Sequence, residues 1–179
     1  MDAQQTVVLR GRTDEDLDLL HRLAADLDTW EERNPASPAP LTREAFDARR
    51  VRSEQDAAPG EARFVIEADG VAVGGISLFH VDPLARHGEV GVSLIREARG
   101  RGIGTAAMAL LVEFAFQRAN LRRLHLQVIA SNVGAIRSHQ KAGFAVEGRL
   151  RDHAWVRGAY EDVVLMGVLR SPGRSSAAD

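Results

Sequence analysis

Arg99-Gly100-Arg101-Gly102-Ile103-Gly104-Thr105 places three glycines on alternate positions directly before an apolar-periodic segment. Glycine reaches backbone conformations with positive φ, so an alternating run can turn sharply and aim successive N–H groups into one hollow. A helix starting there adds its own unpaired N–H groups and the positive end of its dipole. The chemistry on offer is a socket for a diphosphate, with Arg99 and Arg101 beside it to balance charge. Two other phosphate loops fit less well. Gly102-Ile103-Gly104-Thr105-Ala106-Ala107 matches the dinucleotide pattern G-x-G-x-x-A, but Arg96 to Arg99 separate it from the preceding strand, and no acid lies between Leu121 and Val133 to hold a ribose. This disfavours a nicotinamide-dependent oxidoreductase. No Gly-Lys-Ser/Thr follows, so the run is not a Walker loop. A purely structural reading, in which the glycines shape a strand-to-helix turn, stays open.

The rest of the composition narrows the chemistry. Cysteine is absent, which removes disulfides, thiolate metal sites and thiol nucleophiles together. His21, His80, His87, His125 and His153 are scattered without metal spacing, so no metal is expected. The net charge of −2 argues against a broad nucleic-acid surface. Residues 1–10 lack the features of a secretion signal, and no apolar run approaches the roughly 18 residues of a membrane span. A cytoplasmic protein is the expectation. At 179 residues, 45 % hydrophobic and 27 % charged, the chain fits one domain with a sizeable core.

The elements that must position the loop can be read along the chain. Val7–Arg10 is a short strand. Thr13 caps a helix with Asp14, Glu15 and Asp16 in its first turn and Leu17, Leu20, Leu23, Ala24 and Leu27 as its apolar stripe. The proline-rich stretch from Asn34 to Pro40 is a loop. Thr42 starts a second helix that ends before Pro59-Gly60. Strands over Arg63–Ala68 and Val71–His80 flank Asp69-Gly70, a two-residue hairpin signal. Val81–His87 is a loop, Glu89–Ile95 a strand, and Gly102 opens the central helix with Ile103, Ala107, Leu110, Leu111 and Phe114 on one face. Arg123–Ile129 is a strand, Asn132–Ala142 a helix closed by Gly143, and Phe144–Leu150 and Tyr160–Leu169 are the last strands. The order of strand, two helices, three strands, helix, strand, helix and two strands predicts a mixed α/β sheet. Residues 1–170 are expected to form the domain, with 171–179 a disordered tail.

At this point the residues resemble the GNAT superfamily of acyl-CoA-dependent N-acyltransferases. Its diphosphate loop, Q/R-x-x-G-x-G/A, is matched at every specified position by Arg99 to Gly104. Glu89-Val90-Gly91-Val92-Ser93-Leu94 resembles the strand leading into that loop. Asn132-x-x-Ala135-Ile136 with Lys141-Ala142-Gly143-Phe144 resembles the following helix and strand. The closing segment, Glu147-Gly148-Arg149-Leu150 and Trp155 to Asp162, is similar to the spermidine and ribosomal-protein-alanine N-acetyltransferase branch. The resemblance implies a single-domain α/β fold: a twisted, mostly antiparallel sheet of about seven strands flanked by helices and splayed between the strands at 89–95 and 123–129. Dimers are common among such relatives.

The resemblance also implies roles. Acetyl-CoA is the expected acetyl donor, its diphosphate held by Arg99, Gly100, Arg101, Gly102, Ile103, Gly104 and Thr105. Its pantetheine arm would lie as an extra strand along Val92, Ser93 and Leu94, with Lys141 also on the cofactor side. Asn132 either bonds that arm or simply caps its helix. His139, two turns along the same face from Asn132, occupies a position where many relatives carry a tyrosine. It is either the acid for the departing thiolate or a structural histidine. An acceptor amine must lose a proton, and Glu89 is the candidate base, sharing a strand face with Gly91 and Ser93; its other reading is a solvated acid. Direct transfer in a ternary complex to a primary amine, either a small cation or a peptide N-terminus, is the expected reaction. Eight acids from Asp14 to Glu32 form either an acidic acceptor wall or a solvated helix face. Trp30 and Trp155 either line the acceptor pocket or pack. A non-catalytic acyl-CoA sensor is the alternative function.

Overall fold

The computed structural model describes residues 5–29 and 41–171. The expected proline-rich loop, Trp30, Glu31, Glu32 and the tail beyond Ser171 lie outside the described residues. Seven strands form one sheet: β1 (Val7–Arg10), β2 (Ala62–Ala68), β3 (Val71–Asp82), β4 (His87–Leu94), β5 (Arg123–Ile129), β6 (Ala145–Val156) and β7 (Ala159–Leu169). Their order is β1-β2-β3-β4-β5-β7-β6. Every neighbouring pair is antiparallel except β4 and β5. The α-helices of the described residues include α1 (Leu17–Ala25), α2 (Arg43–Gln55), α3 (Ile103–Gln117) and α4 (Val133–Lys141).

Alternation along the strands decides the two faces. Val90, Leu124, Leu126 and Val128 point to the face covered by α3, which buries Ile103, Ala107, Met108, Leu111 and Ala115 against Ile66, Leu78 and Met166. Each fully buried large apolar side chain contributes about 1.5–3 kcal/mol, so α3 is the fold's main clamp. Leu110, expected in this stripe, is instead exposed and Met108 is inside. The helix is apolar on most sides, so packing rather than periodicity selects the buried face. The opposite sheet face carries Glu89, Gly91 and Ser93. Asp69 and Gly70, with φ of +52° and +81°, make the tight β2–β3 turn, and Arg157 and Gly158, at +47° and +86°, repeat it between β6 and β7.

Three expectations needed adjustment. Thr13 to Asp16 form a 3₁₀ turn before α1, in which the Asp16 carboxylate accepts from the Thr13 amide and hydroxyl. The predicted loop at Val81–His87 is shorter, because β3 runs to Asp82 and β4 starts at His87. Strand β6 continues past Leu150 to Val156, since a bulge absorbs the polar run Arg151–His153 and the Asp152 amide donates to Asp162. Helix α2 buries no residue; ion pairs such as Arg12–Glu54 and Arg43–Asp18 and the tilted rings of His21 and Phe46 hold it.

Candidate active site

The loop after β4 has the form its glycines suggested. A 3₁₀ turn over Arg96–Ala98 leads into Gly100 at φ +71° and Gly102 at φ +81°. Only glycine adopts these left-handed values without strain, and no heavy atom lies within 4 Å of where a Cβ would stand at either position. The hollow is therefore open. Gly102 caps α3, and its carbonyl accepts the Ala106 amide at 3.0 Å. The amides of Ile103, Gly104 and Thr105 belong to the first turn, where α-helical geometry supplies no acceptor. The buried Ile103 side chain anchors that turn in the core. Thr105 Oγ1 lies 2.9 Å from Ser138 Oγ, so α4 is tied to the first turn of α3. This open cradle of unpaired amides fits a diphosphate. Arg101 is exposed beside it, and Lys141 is exposed in the last turn of α4.

Strands β4 and β5 pair only through His87–Arg123, Gly88–Leu124 and Glu89–His125. Beyond Glu89 the β4–β5 register ends, while Gly91, Val92, Ser93 and Leu94 still pair with β3. A fork of this kind can admit an extended, amide-bearing arm between its strands. Glu89 stands at the fork itself. Its Oε2 lies 3.0 Å from His80 Nδ1.

Asn132 caps α4, its side-chain oxygen accepting from the Ala135 amide at 3.1 Å. The capping reading of Asn132 thus describes its geometry. His139, on the same side of α4, is only 6 % exposed, and its Nδ1 is buried with no hydrogen-bond partner. Burial pushes the imidazole down to about 4, so it is neutral at physiological pH. An imidazolium acid at this position does not match that surrounding.

Arg99 turns away from the expected role of charge balance alone. Its Nε donates to the Leu94 carbonyl at 3.1 Å and a terminal nitrogen donates to the Thr29 hydroxyl at 2.9 Å. Thr29, itself buried, donates to Asp26, whose carboxyl is held below the usual range chiefly by that hydroxyl. Asp28 receives Arg96 and pairs with Arg157 of the β6–β7 turn. Residues 26–29 are thereby strapped to the loop and to the closing hairpin. Of the six described acids from Asp14 to Asp28, Asp16, Asp18, Asp26 and Asp28 are paired with arginines, so the segment is not a free acidic wall. Trp155 is exposed and stacks edge-on with Tyr160.

A cavity of about 400 Å³ opens beside the fork, lined by Arg99, Ile129, Ser131, Asn132, Val156, Arg157 and Glu161. Ser131, Arg157, Glu161, Thr29 and Ser138 were not singled out from the sequence, because they meet only through the long-range packing of the hairpin and α4. Among the described residues no group of three or more His, Asp or Glu side chains could hold a metal ion. No described helix is long and apolar enough to cross a membrane.

The family described as Acetyltransferase (GNAT) domain matches residues 6–145. The chain belongs to the GNAT acetyltransferase family. It is thus an acyl-CoA-dependent N-acetyltransferase, with acetyl-CoA as donor and an amine as acceptor. The chain is 29 % identical to the spermidine N(1)-acetyltransferase of Escherichia coli (strain K12) over 173 residues, 95 % of this chain and 89 % of that one. It is 33 % identical over 102 residues to the putative ribosomal N-acetyltransferase YdaF of Bacillus subtilis (strain 168), covering 57 % and 56 % of the two chains. The GNAT fold is shared with the spermidine N-acetyltransferase from Vibrio cholerae solved in complex with CoA and spermine, at a TM-score of 0.82, 23 % identity and coverage of 91 % and 95 %. These similarities to named acetyltransferases do not favour the sensor reading.

Proposed function

We propose that this GNAT domain acetylates a primary amine, a small polyamine-like cation or a peptide N-terminus, at the fork between β4 and β5. The observation that carries the reading is that the fork opens at Glu89 and runs toward the open glycine cradle. Acetyl-CoA brings an activated acyl carbon and a thiolate leaving group. The amides of residues 103–105 and the hollow at Gly100 and Gly102 hold its diphosphate, with Arg101 and Lys141 adding positive charge. The stretch Val92–Leu94, beyond the point where β4 and β5 part, aligns the arm, and Asn132 and Ser138 flank it from α4. Glu161, on the cavity wall with one oxygen accepting from the Ser131 amide, meets the acceptor's positive charge.

The acceptor must reach the thioester as a free amine. Glu89 removes the ammonium proton, the new C–N bond forms, the C–S bond breaks and its electron pair leaves on sulfur. His139, being neutral, serves as an N–H donor to that sulfur rather than as a charged acid. The spermidine N(1)-acetyltransferases to which the chain is similar direct the first choice of acceptor.

The test is thiol release from acetyl-CoA across an amine panel, with the product identified by mass. Glu89→Gln is expected to lower kcat by about 100-fold or more while leaving CoA affinity within about 2-fold. Wild-type turnover by that variant would remove Glu89 as the base. His139→Phe is expected to lower turnover more than affinity, and unchanged turnover would reassign His139 to packing.

A further inference from the structure

We infer that His80 is the proton outlet of Glu89, receiving the proton taken from the acceptor and passing it to bulk water. The inference rests on the reading of Glu89 as the base. Three features of His80 are unusual together. It sits in a bulge where the β3–β4 register slips between Phe79 and Asp82. Its φ is +50°, a left-handed value that a non-glycine residue adopts at a cost of order 1 kcal/mol. Its amide donates to Glu61 Oε1 at 2.9 Å and its ring lies edge-on to Phe79 at 4.8 Å, so the conformation is held from two sides. The result is that Nδ1 meets Glu89 Oε2 at 3.0 Å. Bulges re-aim a side chain, and strained residues persist where their surroundings over-determine them.

The exposures give the direction of transfer. The Glu89 side chain is 20 % exposed and that of His80 is 75 % exposed. Acceptor and donor together cover the fork during turnover, whereas the far side of the His80 ring stays in water. Glu89 would pass its proton to Nδ1 and Nε2–H would release one to solvent, which restores the carboxylate and leaves the ring as the Nδ1–H tautomer. Proton exchange with water through the exposed side of the ring returns it to the Nε2–H form before the next turnover. Imidazole is suited to this because both its nitrogens exchange protons near neutral pH.

Four other ionisable side chains of β3, β4 and β5 lie nearby, together with Glu61, and the buried Nδ1 of one of them, His87, has no hydrogen-bond partner. His125 of β5, paired with Glu89 across the fork, is pushed down by burial. His87 of β4 packs edge-on to His125. Arg123 of β5 is paired with Glu147 of β6. Asp82 of β3 accepts from the amides of Leu84 and Ala85. Glu61 holds the His80 amide.

The experiment compares wild type, His80→Asn, His80→Gly and Glu89→Gln by the pH profile of kcat and by KM for spermidine and acetyl-CoA. Asparagine and glycine both tolerate the left-handed backbone, so folding is preserved, which circular dichroism checks. His80→Asn is expected to lower kcat about 10-fold and displace its pH profile with both KM values unchanged. Added imidazole is expected to restore kcat of His80→Gly several-fold and to leave wild type unaffected. If Glu89→Gln is inactive while His80→Asn keeps the wild-type profile and imidazole does nothing, Glu89 is the base but sheds its proton directly to water, and the inference is overturned. If Glu89→Gln is fully active, the base assignment falls first and the outlet with it.

Discussion

The two sides of the β4–β5 fork are built from different materials. In the proposed reading the cofactor side is main chain: two glycines at positive φ, the first turn of α3 and the part of β4 beyond its pairing with β5. The side proposed for the acceptor is side chain: Arg99, Thr29, Asp26, Asp28, Arg96 and Arg157 laced across segments distant in sequence. A main-chain cradle recognises a group common to every acyl-CoA and depends on a few consecutive residues. A side-chain lattice depends on how separate elements meet, and single substitutions can alter it without disturbing the cradle.

That contrast is most easily broken at Gly102. Gly102→Glu adds a side chain to the hollow, a negative charge against the bound diphosphate and strain at φ +81°, yet its Cβ has no heavy atom within 4 Å. Loss of CoA affinity of at least about 100-fold with an unchanged far-ultraviolet spectrum is expected. Retained affinity by calorimetry would contradict the cradle.

Acid titration probes two buried groups next, His139 beside the cradle helix and Asp16 beside Arg10 of β1. The folded chain disfavours protonated His139, so between pH 6.5 and about 4 it holds fewer protons than the unfolded chain. Stability is full above that window and declines as pH falls through it, by on the order of 3 kcal/mol. Asp16 behaves oppositely in chemistry but alike in direction. Bonded at 2.8 Å by two nitrogens of Arg10 and only 3 % exposed, its carboxyl is held well below the usual range, so its contribution is present above the unfolded carboxylate value and lost as pH drops beneath it. His139→Phe should flatten the urea midpoint between pH 6.5 and 4.5 and leave the loss at lower pH in place. At pH 7, Asp16→Asn is expected to cost about 2 kcal/mol. A midpoint for His139→Phe that still falls steeply from pH 6.5 would mean the imidazole is not the responsible group.

Smaller effects sharpen the comparison. Arg157→Ala loosens the closing hairpin from Asp28, and a KM for the amine raised about 5-fold with CoA affinity unchanged is expected. Equal changes in both would place Arg157 on the cofactor side. Ser138→Ala removes the hydroxyl bonded to Thr105, and a loss of CoA affinity of about 3- to 5-fold is expected from one neutral hydrogen bond.

The same division explains what the sequence disclosed. Strand β5, the hairpin at Asp69-Gly70, the cap at Thr42 and the loop from Arg99 to Gly104 are specified by neighbouring residues, and each was legible. The fork was expected only through the GNAT resemblance, because where β4 and β5 part is decided by pairing between segments remote in sequence. The buried stripe of α3 was misread at Leu110 and Met108, since an all-round apolar helix leaves the choice to its neighbours. Strand β6 was cut short because Arg151-Asp152-His153 reads as a turn until Asp162 is seen to hold it. The straps at Thr29 and Arg157, the burial that keeps His139 neutral and the partnership of His80 with Glu89 arise from contacts between remote segments, for which no local pattern exists.

The central claim is that main-chain amides of the loop and the first turn of α3 grip the diphosphate of CoA. Nuclear magnetic resonance of the ¹⁵N-labelled protein during a CoA titration tests it directly. The largest saturable shifts are predicted at the amides of Gly102, Ile103, Gly104 and Thr105; saturable binding that leaves those four amides unmoved would contradict the account.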